Sequence, residues 1–182
     1  EGEAALAAFI DARERGLGFS EVPNLSYKDA DGKVVHNPMA PRASDLDRLP
    51  FPDFSLLRPE AKDLRHMSSI PVLTSRGCPF DCSFCSVTGM FGRKYRFRST
   101  ENIIEELRLY SGRKAMVFFY DDNFAADPER TRELCEAMVR EKLKIKWTTQ
   151  VRADVARDPG LVRLMKRSGC HTVYIGFETV NP

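Results

Sequence analysis

The chain has 182 residues, of which 42% are hydrophobic and 30% charged, and its formal net charge is +2. This is the composition of an ordinary globular protein. So small a charge gives no signal for a nucleic-acid or anionic-membrane partner, and no run of about 20 apolar residues predicts a membrane span. The chain opens in helical sequence and stops just after a strand-like run, so we expect it to be a fragment of a longer protein.

The first sixty residues carry a different pattern from the rest. Apolar residues at helical spacing predict a helix over 3–15, which Gly16 ends. Two short apolar runs around Asp31-Gly32 then predict a hairpin. Residues 37–60 are rich in proline but also in leucine and phenylalanine, so we interpret them as an ordered linker that lies across a neighbouring domain.

From residue 70, short apolar runs alternate with helical segments. Helices are predicted to begin at Ser99-Thr100, Asp127-Pro128 and Asp158-Pro159. The four apolar runs are Ile70–Thr74, Met116–Tyr120, Ile145–Thr149 and Val173–Phe177. Such alternation predicts an α/β fold with a parallel sheet, either open or closed into a barrel. Ligands then bind at the carboxyl ends of the strands.

Three cysteines directly follow the first run. Cys78, Cys82 and Cys85 have the spacing C-x3-C-x2-C, and Gly77 relieves crowding where the strand turns into their loop. Three thiolates on one loop can ligate three corners of an iron–sulfur cubane and leave the fourth iron open. Cysteines so crowded, and five in all, do not suit a disulfide framework. We therefore expect a reducing compartment, the cytoplasm.

Closely spaced cysteines also occur in two other kinds of site, structural zinc sites and redox pairs. A structural zinc site wants four ligands, usually as two C-x2-C pairs. A thioredoxin-like redox pair would use Cys82 and Cys85 and leave Cys78 unexplained. The two remaining cysteines, Cys135 and Cys170, are predicted to be ordinary buried thiols.

The cysteine spacing, with Phe84 before the last cysteine, resembles the radical S-adenosylmethionine (SAM) superfamily. The resemblance covers residues from about 70 onward. It implies a partial (β/α)6 barrel, cut after about the fourth strand, that holds a 4Fe-4S cluster with SAM chelated to the open iron. One electron would cleave SAM to methionine and a 5′-deoxyadenosyl radical, which abstracts hydrogen from the substrate.

The same resemblance suggests roles for residues at the strand ends. Phe84 would lie near the adenine of SAM. Asp121 or Asp122 would accept hydrogen bonds from the SAM amino group; the alternative is that Asp122 or Asn123 only shapes the turn. Arg152 would pair with the SAM carboxylate or, equally well, with Asp154. Glu178 would approach SAM or substrate, and the neighbouring Gly176 would let the cofactor come close.

The start of the chain resembles the junction found in cobalamin-binding members of the same superfamily. Gly2 and Glu3 would then be the last ligand-facing residues of a Rossmann-like cobalamin domain, or residues 3–15 would be a helix of an unrelated domain. The expected organisation is residues 1–60 as the end of that domain plus linker, and residues 61–182 as the first part of the barrel.

These patterns favour a radical SAM enzyme associated with cobalamin, such as a methyltransferase or a ring-forming enzyme. The alternatives are a radical SAM enzyme without cobalamin and a non-catalytic iron–sulfur or zinc module. An enzyme of this kind would need a flavodoxin- or ferredoxin-like electron donor and would act on a small molecule that the sequence does not identify.

Overall fold

The computed structural model describes residues 1–57 and 68–178. The chain forms two compact units, Glu1–Ser44 and Asp45–Pro182. The expected boundary at residue 60 lies outside the described residues, and residues 45–57, expected to be linker, belong to the second unit. In the described residues no helix is both long and apolar enough to cross a membrane.

The first unit contains the predicted helix and hairpin. Helix α1 spans Glu3–Glu14, and strands β1 (Ser26–Lys28) and β2 (Val34–His36) pair antiparallel. The Asp29 carboxylate accepts hydrogen bonds from the backbone of residues 31 and 33. This Asx-type arrangement closes the turn that the Asp-Gly sequence predicts.

The second unit is built on a four-stranded parallel sheet with the order β3-β6-β7-β8. In chain order its elements are β3 (Ser69–Val72), β4 (Ser75–Arg76), α2 (Val87–Phe91), β5 (Arg96–Phe97), α3 (Thr100–Arg108), β6 (Met116–Phe119), α4 (Pro128–Arg140), β7 (Trp147–Val151), α5 (Pro159–Arg167) and β8 (Cys170–Ile175). The predicted α/β class, the parallel sheet and its three longer helices are confirmed.

The helix starts are fixed by local capping. The side chains of Ser99, Asp127 and Asp158 accept hydrogen bonds from backbone N–H groups in the first turns of α3, α4 and α5. Each cap satisfies donors that a helix leaves unpaired at its start. These residues are the ones from which the sequence predicts the helices.

One face of the sheet carries the hydrophobic core. Alternate residues of β3 and β6 are buried, and α3, α4 and α5 contribute leucines, isoleucines and methionines to the same cluster. At its centre Trp147 packs against Phe119 and Phe124, with each ring centroid 5.3 Å away, and its indole N–H donates to the carbonyl of Ser168. The three helices and the core therefore cover one face of the sheet.

The other face of the sheet is open in the described chain. Met116, Phe118, Gln150 and Tyr174 line a hollow of about 550 Å³ on this side. Because side chains alternate across a strand, the pattern that buries Val117 and Phe119 leaves Phe118 on the open face.

Two strands differ in extent from the apolar runs that predict them. β7 begins two residues later than expected and continues through Gln150 to Val151, and β8 begins at Cys170 rather than Val173. In β7 the polar Gln150 ends the apolar run but still pairs with Tyr174 in the ladder, whereas near the start of β8 the register shifts between Trp147 and Thr148. The short antiparallel pair of β4 and β5 was not predicted at all.

Candidate functional site

The cysteine loop is closed at its base by β4 and β5. Ser75 pairs with Phe97 and Arg76 pairs with Arg96, so both ends of the loop are held together. Gly77 follows with a φ of 87°, and a Cβ placed there would lie 2.9 Å from the carbonyl oxygen of Lys94. Only glycine fits this left-handed position against the returning backbone.

The three loop cysteines line one cavity of about 860 Å³. All three are half-buried free thiols. Burial raises the pKa of the Cys78 thiol, the backbone N–H of Phe80 opposes this, and the charges of Asp122 and the other two cysteines raise it further. Among the described residues, no three His, Cys, Asp or Glu side chains are grouped to hold a single metal ion. Three free thiols on one loop beside a roomy cavity fit a cluster.

The other strand ends contribute polar side chains to the same cavity. Its walls include Phe84 from the cysteine loop, Asp122 after β6, Arg152 after β7 and Glu178 after β8. The expectation that these side chains gather at the carboxyl end of the sheet is therefore met, since parallel strands bring these ends to one edge. Their individual contacts to SAM stay predictions.

The two adjacent aspartates have different surroundings. Asp121 is fully buried and accepts hydrogen bonds from Thr74 and Ser75, so the structure does not bring it to the cavity. Asp122 is exposed and lines the cavity. Although the residue is exposed as a whole, its carboxyl is partly desolvated at the cavity wall, and this raises the pKa of Asp122. The charge of Asp121 raises that pKa further, and a hydrogen bond from the backbone of Gly77 lowers it. Of these two aspartates, Asp122 lines the cavity and Asp121 does not.

Arg152 lines the cavity and lies close to the cysteine loop. Its guanidinium carbon is 4.1 Å from the ring centroid of Phe80, and its Nη1 is 3.7 Å from the Sγ of Cys82. Its Nε also pairs with Asp154 at 3.3 Å. The alternative role foreseen for this residue, a salt bridge to Asp154, is thus present, and it holds the guanidinium beside a cluster-ligand candidate.

Glu178 adopts an unusual backbone conformation with a φ of 59°. Its carboxylate folds back over Gly176, where an added Cβ would lie 2.3 Å from Oε1. The space expected to admit the cofactor is occupied by this side chain instead. A non-glycine residue at positive φ is uncommon and costs free energy.

A comparison with known families decides what kind of chain this is. Residues 72–182 match the Radical SAM superfamily, which is more than half of the chain. The chain belongs to the radical SAM superfamily. Members of this superfamily use a 4Fe-4S cluster and SAM, and the matched residues include the cysteine loop and all four strand ends that line the cavity.

Proteins similar to this chain extend well beyond it. An uncharacterised methyltransferase of Pyrococcus horikoshii is 35% identical over 100% of this chain and 40% of its own length. An anaerobic magnesium-protoporphyrin IX monomethyl ester cyclase of Rubrivivax gelatinosus is 31% identical over 98% of this chain and 33% of its own length. The chain therefore spans two fifths or less of the length of these relatives.

Two solved radical SAM structures share the fold. The enzyme OxsB, with aqua-cobalamin and SAM bound, has a TM-score of 0.70 at 25% identity, covering 97% of this chain and 27% of its own. The methyltransferase TsrM of Kitasatospora setae has a TM-score of 0.74 at 19% identity, covering 100% of this chain and 37% of its own. These likenesses confirm the predicted partial radical SAM barrel.

Residues 93–98 are a basic stretch after the cysteine loop, and the charge pattern predicts a solvated face, which is wrong for two of the arginines. Arg96 and Arg98 are only 5% and 7% exposed. Arg98 forms a 2.5 Å ion pair with the buried Glu106 and donates to the carbonyl of Leu73, just before the cysteine loop. Arg98 and Glu106 lie eight residues apart, a spacing that predicts no ion pair, so only their burial in the folded chain reveals it.

The N-terminal candidates lie in the other unit. Gly2 precedes α1 and Glu3 is its first residue, and both are exposed. Nothing in the geometry of this unit tests a cobalamin contact, so that role stays a prediction.

Proposed function

We propose that this chain holds a 4Fe-4S cluster on Cys78, Cys82 and Cys85 and binds SAM against it, as the catalytic core of an enzyme that acts on a small molecule. One observation carries the proposal: the three thiols share a single cavity with polar side chains from the ends of β6, β7 and β8. A non-catalytic cluster or zinc module has no need for such a convergence.

Each cavity residue has a role in this proposal. The Asp122 carboxylate accepts hydrogen bonds from the SAM amino group. The Arg152 fork, already beside Cys82, pairs with the SAM carboxylate. Phe84, which is 68% exposed on the cavity wall, covers the adenine, and Glu178 accepts from SAM or substrate. When bound, the cluster supplies the electron that cleaves SAM.

The reaction on the substrate is methyl transfer or ring formation, because the similar proteins include a methyltransferase and a cyclase. Similarity to OxsB, solved with cobalamin, favours a cobalamin-associated enzyme in which Gly2 and Glu3 lie near the ligand. A flavodoxin- or ferredoxin-like protein supplies the electron. A reducing compartment, the cytoplasm, keeps the five free cysteines reduced.

The test is anaerobic reconstitution of the protein with iron and sulfide, followed by electron paramagnetic resonance (EPR) of the reduced sample with and without SAM. We expect a 4Fe-4S signal that changes when SAM is added, because an open iron can bind it. A folded protein that takes up only zinc, or a cluster whose signal ignores SAM, would contradict the proposal.

Matched cysteine variants assign the ligands. Cys78→Ala, Cys82→Ala and Cys85→Ala should each abolish the SAM-responsive signal. Cys135→Ala is the control, because Cys135 is buried in the core on α4 and does not line the cavity. Cys135→Ala should keep the full signal. Loss of signal in this variant would show that the three loop cysteines are not sufficient to bind the cluster.

A further inference from the structure

A buried polar network lies under the cysteine loop, and the carboxylate at its centre does not line the cavity. That carboxylate belongs to Asp121, whose side chain is fully buried. The Oδ1 atom accepts from the backbone N–H of Thr74 at 2.8 Å and of Ser75 at 2.7 Å. The Oδ2 atom accepts from the Thr74 hydroxyl at 2.5 Å. One carboxylate just after β6 thus accepts from three donors, two on Thr74 before β4 and one on Ser75 at its start.

A second connection runs from the far end of the loop. The Ser75 hydroxyl donates to the phenol oxygen of Tyr95 at 3.2 Å, and the Tyr95 hydroxyl donates to the carbonyl of Asn123 at 2.9 Å. Burial raises the pKa of Tyr95 to about 12, so its hydroxyl remains a donor at neutral pH. Tyr95 immediately precedes β5, so both ends of the cysteine loop are tied to the segment that follows β6.

Arg130 closes the network from α4. Its Nη2 donates to the carbonyl of Thr74 at 2.8 Å, and its guanidinium carbon lies 4.7 Å from the ring centroid of Phe97 in β5. Nη1 is buried and has no hydrogen-bond partner among the described residues. Burial raises the pKa of the Asp121 carboxyl, and the Thr74 and Ser75 hydrogen bonds and the charge of Arg130 oppose this.

Thr74 and Ser75 lie three and four residues before Cys78, and Asp122 follows Asp121 directly. We infer that Asp121, with Arg130 and Tyr95, is a positioning residue that fixes the base of the cysteine loop relative to Asp122 and makes no contact with SAM. The inference rests on the proposed function, because it assumes a cluster on the loop. The two adjacent aspartates then have different roles: Asp121 holds the loop in the position that retains the cluster, and Asp122 binds SAM.

The first test compares Asp121→Asn with Asp122→Asn in reconstituted protein. The readouts are the rate of iron loss to a chelator, the SAM concentration that half-saturates the EPR change, and the unfolding temperature of the cluster-free protein. Asparagine at 121 still accepts the two backbone N–H groups through Oδ1, and its Nδ2 can donate to the Thr74 hydroxyl instead of accepting from it, but the variant loses the negative charge that faces Arg130. Iron loss should be about tenfold faster, because hydrogen bonds to a neutral acceptor are weaker than those to a charged one.

The SAM response separates the two aspartates. In Asp121→Asn the cluster that remains should respond to SAM at the wild-type concentration. Asp122→Asn retains an amide oxygen that accepts from the backbone N–H of Gly77, so it should lose iron at the wild-type rate but need about tenfold more SAM. The inference is overturned if Asp121→Asn retains iron normally, or if it weakens SAM binding instead.

Tyr95→Phe provides the second test, in case a change at Asp121 prevents folding. It removes one hydroxyl from the loop base and should speed iron loss about threefold, since neutral hydrogen bonds contribute less. The matched control is Tyr110→Phe, because the Tyr110 hydroxyl contacts Glu106 at 3.4 Å and lies outside this network. Equal iron loss in the two variants, at equal unfolding temperatures, would overturn the inference.

Wild-type protein distinguishes the two levels of failure. If it takes up no SAM-responsive cluster, the proposed function fails and the positioning role falls with it. If wild type behaves as proposed and only the Asp121 and Tyr95 variants depart from expectation, the positioning role alone is wrong.

Discussion

The two ends of the parallel sheet are built differently although they use the same residue types. At the amino end Cys170 is buried in the core, and Gly169, at a φ of 106°, lies against the backbone of Ile145. At the carboxyl end Cys78 lines the cavity, and Gly77, at a φ of 87°, lies against the backbone of Lys94. The amino end therefore serves packing, while the carboxyl end presents side chains to a ligand.

The largest expected effect of breaking the packing is at Trp147, the first residue of β7. Trp147→Ala should lower the free energy of unfolding by about 3–5 kcal/mol, because it empties the core beside Phe119 and Phe124. Urea unfolding of the cluster-free protein measures this. Val162→Ala, on the exposed side of α5, is the control and should change the value by no more than about 0.5 kcal/mol. A cost below about 1 kcal/mol at Trp147 would refute this account of the core.

The next largest effects are expected at Gly169 and Gly77, which lie at opposite ends of the sheet. A Cβ at Gly169 would lie 2.1 Å from the Ile145 carbonyl oxygen, so Gly169→Ala should cost about 2–3 kcal/mol of stability. A Cβ at Gly77 would lie 2.9 Å from the Lys94 carbonyl oxygen, which is a less severe overlap, so Gly77→Ala should cost about 1–2 kcal/mol. Only Gly77→Ala should also lower the iron retained after reconstitution, measured as iron per folded chain.

Gly112→Ala is the control for this pair. Gly112 has a φ of 79° but nothing within 4 Å of an added Cβ, so it isolates the conformational cost of about 1 kcal/mol. If Gly169→Ala released iron as readily as Gly77→Ala at equal stability, the two ends would not differ in the way described.

The smallest effect concerns the start of α4, which carries Arg130 toward the loop. The Asp127 carboxylate accepts from the backbone N–H of Glu129 and Arg130. Asp127→Ala should lower stability by about 1 kcal/mol, while Asp127→Asn, which preserves the cap, should cost only a few tenths. Chemical denaturation measures both, and equal losses in the two variants would show that the cap does not stabilise this helix.

Local sequence patterns were sufficient for most of the fold. Ser99, Asp127 and Asp158 announce helix starts because capping involves residues only two or three positions apart. The cysteine spacing likewise announces a cluster loop, since all three thiols lie within eight residues. Strand ends were predicted less well, because backbone pairing continues through the polar Gln150 of β7, where the apolar run ends.

The choice between Asp121 and Asp122 was beyond the reach of the sequence. Successive side chains near a strand end point to different surroundings, and which of them meets the cavity depends on the turn that lies opposite. That turn, Thr74–Ser75, is 46–47 residues away in the chain. Nothing near the two aspartates in sequence distinguishes them.

The sequence by itself determined the alternation of strands and helices, the cluster loop and the superfamily, because each depends on short-range spacing. Tertiary structure alone decided that Arg96 and Arg98 are buried and that β4 and β5 close the loop. It also decided that Asp121 binds the base of the cysteine loop while Asp122 lines the cavity. The physical reason is the same in each case. Burial and hydrogen-bond partners are set by segments distant in the chain, and a desolvated charge is stable only where such partners surround it.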